Sequence, residues 1–551
     1  MPAPQPDTLR LAAAPFAPRP GDPAGNARRI LHLRAEAAAA GADLLVLPPY
    51  ALAGFPPELH RPGAVLLRAC AAAAEHLAAA TADGGPGLVL GTPWQDGSRC
   101  HHGAVLLDGG AVLARRACHV APGPFDPGPP AGPAVFRGLR LGLLVGADWH
   151  GPDLAETLSE SGAELLLALD AEPFAPGGAE RRVDRAVARV VETGLPLLLL
   201  NALGADGERV FDGASFALNA DRSLPVSGPL FAPGGTPSEW RRDEDGWHAR
   251  PAPLHPLPGP EEATWRALVL ALRARVEAGD HPGILLDLAG DRPGALLAAA
   301  AADALGPGRV RAAVLSAPGT AEAAPAAARA LAARLRLRCD TLVLGPALDG
   351  LRAVLPGAAE GAGAARLRGA VLRGLAETSG ELLLTAATRG ALLLGPPVEA
   401  DFAPFKHLDE AALHRLARWR DAARPAGLPG PDAGFLADLP GPAPGDPPGS
   451  PLGNAPENPP GTDAILTALL AGDADLEALG RDGHARDAVL HVWRRLQGAA
   501  RDRGGVPPGP ALGGPLAARA FARDWRYPLC DTSPEAPAPA PPSGPEGAAS
   551  P

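Results

Sequence analysis

The sequence predicts an α/β protein in two parts, a layered α/β sandwich followed by a doubly wound parallel sheet. Apolar segments of β type alternate with Ala-rich helical segments in both parts, which is typical of layered α/β folds. A Pro-rich segment at 252–260 breaks this alternation. Because 551 residues exceed what a single core usually holds, we expect a first domain at 1–260 and a second at 261–533.

In the first domain, short apolar segments bounded by turn residues predict strands, and longer Ala-rich segments predict helices. The predicted strands are 9–16, 43–47, 87–90, 104–107, 139–145, 164–169 and 197–201. The predicted helices are 24–40, 64–82, 153–161 and 179–193.

In the second domain, short buried strands that are each followed by a helix favour a parallel sheet with helices on both faces. The predicted strands are 284–288, 310–315, 341–344 and 381–385, and the predicted helices are 261–278, 294–304, 321–335, 364–378 and 408–423. Pro and Gly dominate 424–461, which predicts an irregular loop before further helices at 464–470 and 485–503. The Pro-rich composition of 534–551 predicts a disordered tail.

The composition disfavours several classes of partner and site. A net charge of −11 argues against nucleic acid or an anionic membrane as a partner, and no apolar run of about 20 residues suggests a membrane span. The N-terminus lacks the basic and apolar regions of a signal peptide. Five scattered cysteines without metal-ligand spacing indicate neither a disulfide framework nor a zinc site. We therefore expect a cytoplasmic protein with no metal site.

Residues 284–297 have the layout of a phosphate-binding loop, namely a buried strand, a glycine-bearing turn and a helix. The residues of the turn are Ala289, Gly290, Asp291, Arg292, Pro293 and Gly294. Asp291 adds a negative charge where an anion would sit, and Pro293 removes a backbone N–H donor. The turn therefore predicts a degenerate nucleotide-binding loop.

Motifs in a fixed order along the chain resemble one family. They include GADLLVLPPYALAGFPPEL (41–59), FRGLRLGLLVGADWHGPDLAETL (136–158), RVFDGASFALNAD (209–221) and FARDWRYPLCD (521–531). Over about 9–531 the chain resembles the bacterial glutamine-dependent NAD+ synthetases. The resemblance implies a nitrilase-like α/β sandwich, then an adenine-nucleotide α-hydrolase-like synthetase domain, and large oligomers. ATP, Mg²⁺ and deamido-NAD+ are implied as ligands by this resemblance alone.

The glutaminase half of that family uses a Glu-Lys-Cys triad, in which a thiolate attacks an amide, a carboxylate takes the proton and a cation stabilises the oxyanion. The resemblance places these roles at Pro49, Cys118 and Gly146, none of which retains the required group. Cys118 and His119 are neighbours on a predicted strand and point to opposite faces, so we expect no Cys–His pair between them.

Asp148 and His150 are a second candidate pair that could substitute for the triad. Asp148 and His150 would share a strand face if the strand extended that far. A structural Asp148 and a surface His150 are the simpler interpretation. Asn201 and Ser215 match structural motifs of the family.

The synthetase half departs from the family in a similar way. Of the family's SGGxDS-type loop only Gly290 matches, and of its TTGNKSE-like element only Thr385 is retained. Lys406, the one lysine of the chain, falls at the lysine of a KDLYK-like stretch. Thr385 and Lys406 are therefore candidates for residual ligand contacts, although chance survival of Lys406 is an equal alternative.

Loss of a nucleophile or base typically slows an enzyme by about 10⁴–10⁶, and loss of one oxyanion donor by about 10²–10³. The sequence therefore predicts a catalytically inactive relative that acts as a regulatory or scaffolding subunit. It would assemble as a homo-oligomer or as a hetero-oligomer with an active synthetase. The alternatives are an active glutamine-hydrolysing NAD+ synthase, a binding module for a nucleotide or an amide, and a decaying gene without function.

Overall fold

The computed structural model describes residues 7–54, 62–316, 323–355, 362–395, 398–437, 439, 461–471, 476–498, 505–512 and 521. The predicted tail at 534–551, most of the predicted loop at 424–461, and Cys530 lie outside these residues. The described part of that loop, 424–437, contains no helix or strand, as expected.

Among its described residues, the first part of the chain contains fifteen strands and four long helices. The strands are β1 (Thr8–Ala13), β2 (Leu44–Val46), β3 (Gly87–Asp96), β4 (Arg99–Asp108), β5 (Ala111–Ala117), β6 (Ala134–Phe136), β7 (Leu139–Val145), β8 (Leu165–Asp170), β9 (Leu197–Asn201), β10 (Leu203–Asp206), β11 (Arg209–Asp212), β12 (Phe216–Leu218), β13 (Val226–Ser227), β14 (Thr236–Asp243) and β15 (Gly246–Ala249). The helices are α1 (Pro23–Ala39), α2 (Ala64–Ala80), α3 (Asp153–Glu160) and α4 (Gly178–Thr193).

These elements form a four-layered sandwich of two sheets between two pairs of helices. One sheet has the order β15-β14-β1-β2-β3-β4-β5 and the other has the order β13-β12-β9-β8-β7-β6. Strand alternation sorts the side chains between cores. Leu44 and Val46 of β2 lie in the core between the sheets, whereas Leu45 lies in the core beneath α1 and α2. In β8, Leu167 likewise faces the opposite sheet and Leu166 faces α3 and α4.

The strands β5, β6 and β10 to β15 were not predicted from the sequence. β5 (AVLARRA) is an edge strand without a buried residue, and β14 (TPSEWRRD), which lies between β15 and β1, has three charged residues after Trp240. Charged residues interrupt the apolar sequence in both strands, so the β-type apolar run on which the prediction rested is absent there. β7 and β9 have the predicted bounds.

The second part contains a four-stranded sheet with the order β18-β17-β16-β19, in which every neighbouring pair is parallel. Its strands are β16 (Ile284–Asp287), β17 (Val310–Ser316), β18 (Arg338–Val343) and β19 (Leu382–Leu384). The helices are α5 (Pro260–Ala278), α6 (Arg292–Leu305), α7 (Ala323–Arg334), α8 (Gly345–Val354), α9 (Ala362–Ser379), α10 (Arg389–Leu394), α11 (Glu410–Ala422), α12 (Thr462–Ala471), α13 (Leu476–Arg481) and α14 (Arg486–Gly498).

Helices cover both faces of this sheet, so the predicted doubly wound arrangement is confirmed. Leu286 of β16 packs in one core with α5, α6 and α7, and Leu285 packs in another with α8 and α9. β18 begins three residues before the predicted strand and is the edge of the sheet. α8, α10 and α13 were not predicted.

The two parts share a hydrophobic core. Phe174 and Val210 of the first part belong to the same buried cluster as Trp265 of α5. α5 packs against the β10–β11 hairpin, and Trp265 is fully buried. The hairpin therefore forms part of the contact between the two parts.

By length and composition, Ala64–Asp83 would suffice to cross a membrane, with a mean hydropathy of 1.2. This helical segment, which contains α2, was not expected from the sequence to qualify. In the structure, Leu67, Cys70 and Leu77 are buried on one side of α2, and α2 contacts β3. The helix thus occupies the position of a core helix of the sandwich.

Candidate functional site

The predicted nucleophile and lysine positions of the first part lie side by side. Cys118 follows β5, and its Sγ lies 3.7 Å from the carbonyl oxygen of Val145, the residue before Gly146. The same Sγ lies 3.5 Å from Nδ1 of His102, a residue of β4. Because β4 and β5 are antiparallel neighbours, the sheet brings together a cysteine and a histidine that are 16 residues apart.

The predicted glutamate position, Pro49, also lies near His102, because its neighbour Tyr50 contacts the imidazole. Tyr50, next to Pro49, stacks on His102 with ring centroids 3.9 Å apart, and Phe125 lies on the same imidazole at 5.4 Å. A Cβ on Gly91 would lie 2.4 Å from Cα of Pro49, so this segment packs directly against β3. Aromatic rings therefore surround His102 where the family's charged groups are expected.

The Cys118–His102 pair is held in its neutral form. Burial, reinforced by the negative charge of Asp148, raises the pKa of the Cys118 thiol well above its ordinary value. Burial lowers the pKa of His102 to about 3, and its Nε2 has no hydrogen-bond partner among the described residues. A reactive cysteine needs a thiolate, so this pair does not supply an activated nucleophile at neutral pH.

His119 is directed elsewhere, as the sequence predicted. Its Nδ1 lies 3.1 Å from the carbonyl oxygen of Gly128, so it does not pair with Cys118. The sequence missed His102 because the contact depends on the register of β4 and β5 and not on spacing along the chain.

Gly146 begins a short 3-10 helical turn, Gly146–Trp149, at the end of β7. Its φ is +56°, and a Cβ placed on it would meet no described atom within 4 Å. The strand ends at Val145, so the condition under which Asp148 and His150 would share a strand face is not met. Asp148 instead accepts a hydrogen bond of 2.7 Å from the backbone N–H of Val120, which is a structural role.

Asn201 and Ser215 support the surrounding backbone. Asn201 accepts a hydrogen bond of 2.9 Å from the N–H of Glu172 and donates one of 2.8 Å to Asp212. Asp212 in turn forms an ion pair with Arg182, and both side chains are buried. The Ser215 hydroxyl donates to the carbonyl of Gly213.

A side chain of the loop at 289–294 caps the helix that follows it. Asp291 is the N-cap of α6, and its Oδ1 accepts a hydrogen bond of 2.9 Å from the N–H of Gly294. Burial, together with the charge of Asp287, raises the pKa of Asp291. Gly290 has a φ of +81°, and a Cβ there would lie 2.5 Å from the carbonyl oxygen of Ala324.

The structure places Thr385 and Lys406 in contacts within the chain. The Thr385 hydroxyl accepts a hydrogen bond of 3.2 Å from the N–H of Ala387. The Lys406 ammonium lies 2.5 Å from Oε1 of Glu208, in the turn of the β10–β11 hairpin. Lys406 is thus located where the two parts of the chain meet.

Comparisons with known proteins agree with the two-part organisation. Residues 10–229 match the carbon-nitrogen hydrolase family. The glutamine-dependent NAD(+) synthetase of Rhodobacter capsulatus is 33% identical over 95% of this chain and 98% of its own length. The chain belongs to the glutamine-dependent NAD+ synthetase family.

Two further glutamine-dependent NAD+ synthetases are similar to this chain over nearly its whole length. The synthetase of Xylella fastidiosa is 30% identical over 95% of this chain and 98% of its own length. The structure of the synthetase of Acinetobacter baumannii, solved in complex with ADP, has a TM-score of 0.71 and 23% identity, covering 95% of this chain and 98% of that one. This likeness confirms the predicted fold, a nitrilase-like domain followed by a synthetase domain.

Proposed function

We propose that this member of the NAD+ synthetase family does not catalyse the family reaction and acts as a regulatory or scaffolding subunit. The observation that carries the proposal is Gly146. At the end of β7, where the resemblance places the nucleophile, the chain has a residue without a side chain. Cys118, nearby, is buried and its raised pKa keeps it protonated. No described group at this place can both attack an amide and take up its proton.

The second part supports the proposal independently. The N–H of Gly294 at the start of α6 is engaged by the Asp291 carboxylate, which occupies the position and carries the charge of an incoming anion. The carbonyl of Ala324 closely approaches Gly290. These residues do not fit an ATP phosphate.

The internal packing supports a folded chain, which any role through contacts with other subunits requires. Both parts have buried cores, and a buried ion pair between Arg420 and Asp303 links α11 to α6 in the second part. A folded chain without its catalytic groups can still occupy a place in an assembly of the family. Partners would then be further copies of this chain or an active synthetase, in the cytoplasm.

The first experiment is an assay of NAD+ formation by the purified full chain with deamido-NAD+, ATP and Mg²⁺. One reaction contains glutamine and the other ammonia, because ammonia bypasses the glutaminase. The Rhodobacter capsulatus relative is the positive control. We expect no NAD+ from this chain in either reaction. Turnover with ammonia alone would restrict the inactivity to the glutaminase half, and turnover with glutamine would overturn it altogether.

The regulatory role is tested by mixing the chain with an active synthetase from its own host. We expect co-elution in gel filtration and a change in the rate of NAD+ formation that depends on the ratio of the two chains. Separate elution with an unchanged rate would reject a hetero-oligomeric role. Calorimetric titration with ATP, deamido-NAD+ and glutamine separates this role from that of a binding module.

A further inference from the structure

We propose that His150, Asp170 and Glu172 form a binding site for a divalent transition-metal ion. One ligand atom from each residue lies within 4.8 Å of the other two. β7 and β8 are parallel neighbours, with Val145 opposite Leu169, so the residues that follow the two strands meet at one edge of the sheet. Ligand sites in α/β sheets commonly lie at this carboxyl edge.

The separation of the atoms suits a bound ion. His150 Nε2 lies 3.4 Å from Asp170 Oδ2, which is long for a hydrogen bond to a carboxylate. Two ligands about 2.1 Å from a tetrahedral ion are separated by about 3.4 Å. One imidazole nitrogen and two carboxylate groups favour Zn²⁺, Co²⁺ or Mn²⁺ over the all-oxygen coordination typical of Mg²⁺.

Neighbouring groups orient the Asp170 carboxylate. The Trp149 indole N–H donates to Oδ2 at 2.7 Å, and the N–H of Ala171 donates to Oδ1 at 2.8 Å. Both contacts involve residues that adjoin a proposed ligand in sequence. Outer hydrogen bonds of this kind fix ligand geometry in metal sites.

The charges around the site leave a net attraction for a cation. Arg185 pairs with Glu172 through Oε2 at 2.8 Å, whereas Arg189 pairs with Glu192. Asp170 and Glu172 therefore contribute two negative charges against the single positive charge of Arg185. Arg185 also lies over the ring of Trp149, so its guanidinium has a second contact beside the site.

The site is open on one side. The His150 side chain is 40% exposed and the Asp170 side chain 5%, so an ion can enter past the imidazole. Three protein ligands leave a position for water or a small ligand. The proposed metal site is independent of whether the chain catalyses the family reaction, because it uses none of the positions assigned to the triad or the phosphate loop.

The test is calorimetric titration of the full chain, stripped with a chelator, with ZnCl₂, and with CoCl₂ for its absorption spectrum. We expect one ion per chain at this site and a visible cobalt spectrum of mixed nitrogen and oxygen coordination. His150→Ala and Glu172→Gln should each weaken binding by about tenfold or more, since even outer partners of a metal site contribute about 10–100-fold. Asp170 is left unchanged because its buried carboxylate also holds Trp149.

His248→Ala is the matched control. His248 Nδ1 lies 3.1 Å from Asp243 Oδ2, a His–Asp pair for which the described residues provide no third ligand. This variant should bind zinc as the unchanged chain does. Absence of binding would overturn the proposal, as would binding that both site variants retain, which would be adventitious. Thermal unfolding shows whether each variant is folded. If His150→Ala does not fold, the zinc affinity of Glu172→Gln tests the proposal.

Discussion

The ammonium of Lys406 forms an ion pair with Glu208 across the contact between the two parts of the chain, at 2.5 Å. The Lys406 side chain is only 6% exposed, whereas that of Glu208 is 40% exposed. Oε1 of Glu208 also accepts a hydrogen bond of 3.1 Å from the N–H of Gly509. The one lysine of the chain thus binds the β10–β11 hairpin to the second part, which favours a structural reason for its presence. A ligand role for Lys406 stays a prediction.

We expect Glu208→Gln to lower the free energy of unfolding by about 1–3 kcal/mol, because it leaves a buried ammonium without its counter-charge. This range is below that of a fully buried pair, since Glu208 is partly screened by solvent. Adding Lys406→Met should recover part of the loss, since both charges are then absent. Urea unfolding of the single and double variants gives the coupling energy.

Arg352→Ala is the control for this ion pair. It removes the exposed pair between Arg352 and Asp349, and we expect a change within about 0.5 kcal/mol. A coupling energy near zero for Lys406 and Glu208 would show that the pair does not hold the two parts together.

Gly146→Ala tests the backbone at the predicted nucleophile position. The space around a new Cβ is open, so the expected destabilisation of about 1–2 kcal/mol arises from the φ of +56° alone. Gly374→Ala is the matched comparison, because Gly374 lies in α9 with an open surround and helical Ala should stabilise by about 1 kcal/mol. Chemical denaturation measures both, and a stabilising Gly146→Ala would contradict the left-handed conformation.

The buried imidazole of His102 should make the protein sensitive to acid. Its pKa falls from 6.5 to about 3 on folding, so the unfolded chain binds a proton that the folded chain does not. Stability is therefore fully present above pH 6.5 and is lost as the pH falls toward 3, by up to about 1.4 kcal/mol per pH unit. His102→Phe should reduce this slope, measured by urea unfolding between pH 6.5 and about pH 5.

His407 has a pKa lowered to about 4, mainly by burial, so His102→Phe removes only part of the acid sensitivity. His32→Gln, at an exposed position of α1, is the control and should leave the slope unchanged. An unaltered slope in His102→Phe would mean that His102 is hydrated in the folded protein.

Two variants of Asp291 test its role as the N-cap of α6 separately from any effect on anion binding. Asp291→Ala should lower the free energy of unfolding by about 1 kcal/mol, because the N–H of Gly294 loses its acceptor. Asp291→Asn keeps an acceptor and removes a charge whose burial is unfavourable, as the raised pKa indicates. We therefore expect it to be at least as stable as the unchanged chain at neutral pH.

Neither Asp291 variant should bind ATP in a calorimetric titration, because the carbonyl of Ala324 still approaches Gly290. Binding by Asp291→Asn would show that the loop is a phosphate site blocked only by one carboxylate. That result would remove the loop at 289–294 as support for the proposed inactivity of the synthetase half.

Periodicity predicted the strands that lie in the middle of a sheet, such as β7 and β9, because both of their faces are apolar. It missed β5, none of whose residues is buried, and β14, whose sequence is mostly polar or charged. The motifs alone predicted which residues occupy the triad and loop positions. They did not predict the contacts of these residues, because Cys118 contacts His102, which lies on another strand.

The sequence by itself determined the fold class, the family and the identity of the residues at Pro49, Gly146 and Asp291, because local patterns and motif order carry that information. Only the tertiary structure decided which distant residues meet. Strand register brings His150 to Asp170, and packing of the hairpin on α5 brings Glu208 to Lys406. Such contacts depend on the arrangement of whole elements, and the spacing of residues along the chain does not encode them.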